Sequence, residues 1–389
     1  MTRKKIILLI GIILLAIAIL ATIKMIAKRN DVLREKIFFY QEIEESERQW
    51  IMKNQAKNGA FLTFEKKVNS SNWANPYFSN LAASALMEST PSSEEKQAVK
   101  RYLIWYIENI NSDDEDSING AGTMYDYEID ITKAGKEKSI SKESYDSVDS
   151  YASTFLKAVS DYVYVTEDTK WLAKNTPDLQ IIFDALLRCM DAQGITYAKA
   201  DYPIYYLMDN CETNAGLRAT EKLQKLGAAF SLSDEVKSYF MKNSEAITKK
   251  FWRNGEYVIG IDDDGKALFA NDQSSVYPTT IAQIYPIAWG ILDGKEKRAE
   301  EIYEKICKDF QWHKMDYRDR ESSKSCWPIF AFVGALMGDE ERVETYVNNY
   351  IEVVNEDHGY PIHIDDSAWM IKTCEEMKTY YHKKLFTLF

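Results

Sequence analysis

The sequence predicts an all-α protein: an (α/α)6 barrel with short β-hairpins at one rim, preceded by a single N-terminal transmembrane helix. Three observations predict it. Beyond residue 30, apolar side chains recur at helical spacing in segments of roughly 12–22 residues. Those segments alternate between a charged, amphipathic kind and a kind rich in small and aromatic residues. Before them, residues 6–23 (IILLIGIILLAIAILATI) contain no charged side chain.

The N-terminal run, extended to residues 25–27 if Lys24 snorkels, just reaches the roughly 20 residues that span a bilayer. A cleaved signal peptide shares its basic-then-apolar pattern, but the apolar run exceeds the ~7–15 residues of a signal core. No small-x-small cleavage site follows it. The reading is therefore an uncleaved, single-pass cell-membrane anchor through residues 6–27. Lys28, Arg29, Arg34 and Lys36 compete with Arg3, Lys4 and Lys5 for the cytoplasmic side. The short N-terminal tip and the large following domain favour a cytoplasmic N-terminus and an extracytoplasmic body. Domains follow as 1–30 (tip and anchor), 31–57 (stalk or first outer helix) and 58–389 (barrel).

A helix with one wet face needs charge there, whereas one packed on nearly all sides cannot carry it. The charged segments, 31–57, 93–110, 178–192, 233–251, 295–310 and 340–356, are thus an outer layer. The charge-poor ones, 78–87, 147–165, 210–226, 277–292, 324–337 and 367–381, are an inner layer. Six of each in alternation give the barrel. ITYAKA at 195–200 and EYVIGI at 256–261 read as hairpin strands, and Asp262-Asp263-Asp264-Gly265 as a tight turn between strands.

Six of the 48 basic side chains lie in residues 1–30, which hold no acid, so residues 31–389 carry 42 basic and 60 acidic side chains, a net of −18. Such a body repels nucleic acid. The five cysteines (Cys189, Cys211, Cys307, Cys326, Cys374) are odd in number and scattered, with no disulfide framework or CxxC site. Few scattered cysteines in an exported chain suit a bacterial envelope. The four histidines are equally dispersed, so neither metal nor other cofactor is expected.

In such a barrel the inner helices run parallel, and the loops leading into them gather at one rim, where helix N-termini focus positive potential. Those loops are acidic and aromatic. They carry Trp73 and Tyr77; Tyr125, Asp126, Tyr127, Asp146, Asp149 and Tyr151; Asp209 and Glu212; Asp272, Tyr277 and Gln283; and His363, Asp365, Asp366 and Trp369. Paired carboxylates with aromatic platforms are what glycoside cleavage uses: one acid protonates the leaving oxygen, and the other activates water or attacks carbon. Asp149 and Asp209 are the expected acid and base or nucleophile. Asp126, Asp146, Glu212 and Asp272 are expected in support. Trp73, Tyr77, Tyr125, Tyr127, Tyr151, Tyr277 and Gln283 are expected to bind sugar. Asp146-x-x-Asp149 and Asp209-x-x-Glu212 also have capping-box spacing, so capping is the competing reading of each. Tyr285, Pro286 and Trp289 read as packing residues, and Cys211 lacks an indicated His partner for a nucleophilic role.

The segments YDSVDSYASTFLKAVSDYVYVTEDTKWL (145–172), DNCETNAGLRA (209–219), YPTTIAQIYPIAWGIL (277–292) and YPIHIDDSAWMI (360–371) resemble the six-hairpin glycosidase superfamily. With PYFSNLAASAL (76–86) and GTMYDY (122–127), the resemblance spans nearly the whole body. It implies an (α/α)6 toroid acting on carbohydrate, of the glucoamylase-like, trehalase-like or family 8 kind. SVDSYAS follows the family 8 Ala-Thr/Ser-Asp-x-Asp motif only in part, and Glu65 stands by position alone for that family's N-terminal general acid. The expected activity is hydrolysis of a polysaccharide or oligosaccharide by a monomer. A non-catalytic glycan-binding toroid of an exopolysaccharide system is one rival. A lyase or epimerase of acidic sugars is another, but it needs a basic cleft, and Arg218 is one of few basic residues near the rim.

Overall fold

The computed structural model describes residues 3–269, 275–319, 324–354, 358–359 and 361–387. Twelve α-helices occur among them. The outer layer is α1 (Arg3–Lys53), α3 (Ser93–Glu108), α5 (Thr169–Arg188), α7 (Asp234–Lys250), α9 (Lys297–Asp309) and α11 (Glu340–Val354). The inner layer is α2 (Pro76–Leu86), α4 (Val148–Thr166), α6 (Leu207–Lys225), α8 (Ile281–Ala288), α10 (Ile329–Leu336) and α12 (Ile364–Phe386). Each inner helix packs on the next, and α12 returns to α2, so the inner ring closes. The alternation of charge-poor and charged segments is therefore the alternation of layers.

Local signals set several boundaries. Ser92 and Glu95 form a reciprocal capping box at the start of α3. α5 starts nine residues before the predicted 178, capped by Asp168, which accepts from the Trp171 amide at 3.1 Å. Pro177 lies inside it. Where α4 and α6 cross, Gly216 lets the backbones meet: a Cβ there would lie 2.6 Å from Ser153 Cα. Phe155 stacks on Tyr106 with ring centroids 3.7 Å apart, tying α4 to α3; truncating such a ring costs roughly 3–5 kcal/mol.

The strands differ from the expectation. β1 (Ser70–Ala74), β2 (Tyr127–Ile131) and β3 (Glu137–Ser141) form an antiparallel sheet that was not predicted. The sequence YEIDI of β2 alternates in period two, with Tyr127, Ile129 and Ile131 buried. EYVIGI is divided between two small sheets: Glu256–Tyr257 pairs with Trp252–Arg253, and Gly260–Ile261 pairs with both Tyr205–Tyr206 and Ala267–Leu268. Residues 195–200 make only isolated bridges, Met190 to Thr196 and Lys199 to Tyr202. The Asp262–Gly265 turn does join two strands, with the Gly265 amide donating to the Asp262 carbonyl at 3.0 Å.

α1 is one unbroken helix of 51 residues, and its apolar part, from Ile10 to Ile23, is exposed. Its contact with the barrel begins at Arg29, whose guanidinium donates to the carbonyls of Thr387 (3.1 Å) and Lys384 (2.7 Å). Tyr40 then meets Tyr381, Glu44 meets Lys378, and Glu47 meets Ser367. α1 thus runs antiparallel to α12, and the apolar segment leaves at the C-terminal end of α12.

Candidate active site

All six inner helices contribute their first turns, or the residues just before them, to one cavity of about 230 Å³. α2 gives Asn75 and Tyr77, α4 gives Asp146 and Tyr151, and α6 gives Asp209 and Glu212. Tyr277 and Tyr285 come from α8, Trp327 from α10, and His363, Asp365, Asp366 and Trp369 from α12. A groove of about 490 Å³ adjoins it, sharing Asp146, Met208, Asp209 and Tyr277 and adding Lys199, Tyr202 and Tyr206.

Glu212 is the most constrained carboxylate of the cavity. It is 2% exposed, and its Oε1 accepts from the hydroxyls of Tyr77 (2.6 Å) and Tyr285 (3.1 Å), which lie 3.1 Å from each other. Burial raises its pKa well above the carboxylate range, and the neighbouring Asp209 and Asp146 add to this against the two tyrosine donors. Asp209, one helical turn before it, is raised by burial and by the charges of Asp149 and Asp146. Facing them from α12, Asp365 is raised by burial and by Asp366. Its Oδ1 is buried and accepts no hydrogen bond among the described residues; His363 Nδ1 stands 3.7 Å away. Burial lowers the His363 pKa to about 4, so this imidazole is neutral. Asp366 is occupied otherwise, accepting the amide of the α12 cap residue, His363, at 3.0 Å.

No protein-family model matches the sequence, and no curated protein does. Solved structures match at 9–10% identity. A glycosidase aligns with 90% of this chain and 98% of its own at a TM-score of 0.59, and a variant of a glycosidase in complex with glucose aligns over the same shares at 0.56. An inactive α-1,6-mannanase variant of Salegentibacter sp. HEL1_6, in complex with α-1,6-mannotetrose, covers 87% of this chain and 99% of its own at 0.52. A cold-adapted family 8 xylanase covers 90% and 92% at 0.53. The chain shares the (α/α)6 barrel fold of these structures.

Within this toroid the residues singled out from the sequence divide. Asp146, Asp209, Glu212, Tyr77, Tyr151 and Tyr277 line the cavity. Asp126 stands just behind it, accepting from Tyr151 (2.9 Å) and Asn75 (3.1 Å), with its pKa raised by burial. Asp149 lines neither space. It is fully buried behind the wall, where Thr196 donates to it at 2.7 Å, and burial pushes its pKa up to about 8. Tyr127 is buried on β2 against Trp105. Trp73 packs between Phe64 and Phe78. Tyr125 stacks on Tyr145 and donates to the Glu115 carbonyl. Gln283 is a backbone clamp, bonded to both the amide and the carbonyl of Tyr257 at 2.8 Å. None of these four lines the cavity or the groove. Glu65 lines neither, and Arg218 donates to the Trp289 carbonyl at 2.6 Å, away from the rim. Asp272 lies outside the described residues.

The capping reading of the acidic pairs fails. The caps of α4 and α6 are Ser147 and Tyr206, with no side-chain cap bond at either. The tyrosine read as packing, Tyr285, has its hydroxyl on Glu212 instead. Asp365 and Trp327 were visible at the lead-ins of inner helices, but nothing in their spacing set them above their neighbours.

Proposed function

We propose that the protein is a membrane-anchored, extracytoplasmic glycoside hydrolase acting on a polysaccharide or oligosaccharide as a single chain, with Glu212 as general acid and Asp365 as general base. One observation carries this: α6 and α12 are opposite members of the closed inner ring, and each presents a buried carboxylate to the same cavity. Glu212, kept protonated by burial, gives its proton to the glycosidic oxygen. Asp365 acts in its ionised form, which its raised pKa makes the stronger base: it takes a proton from a water, whose oxygen bonds to the anomeric carbon as the glycosidic bond breaks. Asp209 and Asp146 hold Glu212 in its protonated form. Tyr77 and Tyr285 fix its orientation.

A carboxyl separation of roughly 6.5–9.5 Å across the cavity would leave room for that water, and hydrolysis would then invert the anomeric centre. The solved neighbours support a sugar ligand, since glucose and α-1,6-mannotetrose are bound in two of them. A lyase or epimerase of acidic sugars is disfavoured: no Lys or Arg is among the described residues lining the cavity. The anchor reading gains from the geometry of α1, whose apolar segment departs at the C-terminal end of α12 while the cavity opens at the N-terminal end. The cleft then faces away from the bilayer.

Release of reducing ends from a panel of neutral and amino polysaccharides tests the activity, with NMR of the first-formed anomer testing inversion. Glu212→Gln or Asp365→Asn retaining full activity would remove the assignment.

A further inference from the structure

The groove beside the cavity has no role in the proton transfers just described, yet three tyrosines are among its described lining residues. Tyr202 and Tyr206 stack at 6.4 Å and 27° with hydroxyls 3.2 Å apart, and Tyr202 is 47% exposed. Where cavity and groove meet, Tyr277 lies parallel to Trp327 at 5.4 Å and is 54% exposed. Two aromatic pairs therefore follow one another along the opening, each offering a flat apolar face with at least one tyrosine hydroxyl at its edge. Such faces stack on the C–H side of a pyranose while the hydroxyls meet its polar edge.

The cavity alone is too small for a chain. Its floor is closed by Trp369, whose ring packs on Trp289 and Phe332. At about 230 Å³ it falls below the ~300–1,000 Å³ of ordinary ligand sites, and the groove brings it into that range. Charge narrows the ligand further. Lys199 is the one cation among the described lining residues of the groove, and its ammonium is engaged with the Tyr145 carbonyl at 3.1 Å. Asp146 and Asp209 border the same space.

We propose, resting on the hydrolase reading above, that the groove binds the sugars beyond the scissile bond. The substrate is then a chain of uncharged hexoses or pentoses longer than a disaccharide, with Tyr202 as a length-selecting platform. Acidic polysaccharides are disfavoured, because the one cation among the described lining residues of the groove is already engaged with the Tyr145 carbonyl.

The test uses the full-length protein and its Tyr202→Ala and Tyr202→Phe variants. Probes are neutral di- and hexasaccharides of mannose, glucose and xylose, plus an oligogalacturonate of equal length. Hydrolysis is read by chromatography, and binding by tryptophan fluorescence. The wild type is expected to prefer the neutral hexasaccharide of one series over its disaccharide. Tyr202→Ala should cut that ratio of kcat/KM roughly tenfold, and Tyr202→Phe, which keeps the stacking face, should retain it. An unchanged ratio in Tyr202→Ala, or a preference for oligogalacturonate, overturns the groove and leaves the hydrolase standing. No cleavage of any probe by the wild type removes the hydrolase reading. The groove is then judged on binding alone: hexasaccharide binding lost in Tyr202→Ala upholds it as a glycan site, and no binding, or unchanged binding, removes it too.

Discussion

Carboxylates are buried both around the cavity and toward the other end of the barrel, and the two regions treat them oppositely. At the far end of α2, Glu88 is bonded by Lys372, and Lys157 bonds both Asp161 (2.6 Å) and the Ser84 hydroxyl (2.9 Å). Burial pushes the Glu88 pKa up, but Lys372 and Lys157 outweigh it and hold the group at about 2. On α1, Glu44 is likewise taken below its usual range, burial being outweighed by hydrogen bonds from Lys378 and Arg48 and a hydrogen-bonded neighbour, Glu375. Around the cavity, Asp209, Glu212 and Asp365 meet burial with other carboxyls, tyrosine hydroxyls and the neutral His363 imidazole for company, and all three rise. The desolvation cost is the same kind in both places. What differs is that one end supplies cations and the other withholds them, which favours the protonated form of Glu212, the group proposed to give its proton away.

The contrast is broken most directly by removing a carboxyl from the cavity. Glu212→Gln and Asp365→Asn should each lower kcat by about 10²–10⁴, measured at saturating substrate, with the thermal midpoint unchanged or raised.

Asp149 sharpens the comparison, because it is buried and unpaired by cations but stands behind the wall. Its folded pKa, raised to about 8, lies above the ordinary value of 3.8. Its protonated form therefore favours folding fully below about pH 4, and that advantage disappears as pH rises toward 8. Asp149→Asn should stay active and be more stable than the parent by a few kcal/mol near pH 8–9, roughly, with no difference near pH 3.5. Urea unfolding at the two pH values checks this, and loss of hydrolysis in the variant would return Asp149 to the chemistry.

At the paired end, Lys372→Met should cost about 1–2 kcal/mol near neutral pH, less than a fully buried pair because Glu88 keeps a solvent-facing side. The Glu88 contribution is present above about pH 4.5 and is lost as pH falls toward 2, so the variant and parent should converge in acid. Activity should be kept. The smallest effect is expected from Tyr77→Phe or Tyr285→Phe. Each removes a donor that favours ionised Glu212, so the alkaline limb of the rate profile should move up by about 1 pH unit. A downward move would contradict Glu212 as the acid.

Much of the toroid was legible in the sequence, because a helix shows in its charge pattern whether water reaches it. IFAFVGAL of α10 and KRAEEIYEKICKD of α9 cannot exchange layers. The acidic, aromatic character of the rim was legible for a similar reason: inner helices are poor in charge, so acids at their starts stand out. The position of α5 was not, since Pro177 ordinarily marks a helix boundary yet here lies in the third turn. The sheet of β1, β2 and β3 was also missed, although YEIDI shows its alternation.

The sequence by itself determined the two-layer helical architecture, the apolar N-terminal helix and the set of rim acids from which a site is drawn. Tertiary structure alone decided which of them meet. Asp146, Asp149, Asp209 and Glu212 are alike as residues, and a rotation of about 100° per helical position separates one facing the cavity from one locked behind it on Thr196. Asp365 faces Glu212 only because α12 closes the ring opposite α6, a relation that no spacing along 150 residues of intervening chain encodes locally. Tyr285 has the same look as any inner-layer aromatic until Glu212 arrives beside its hydroxyl.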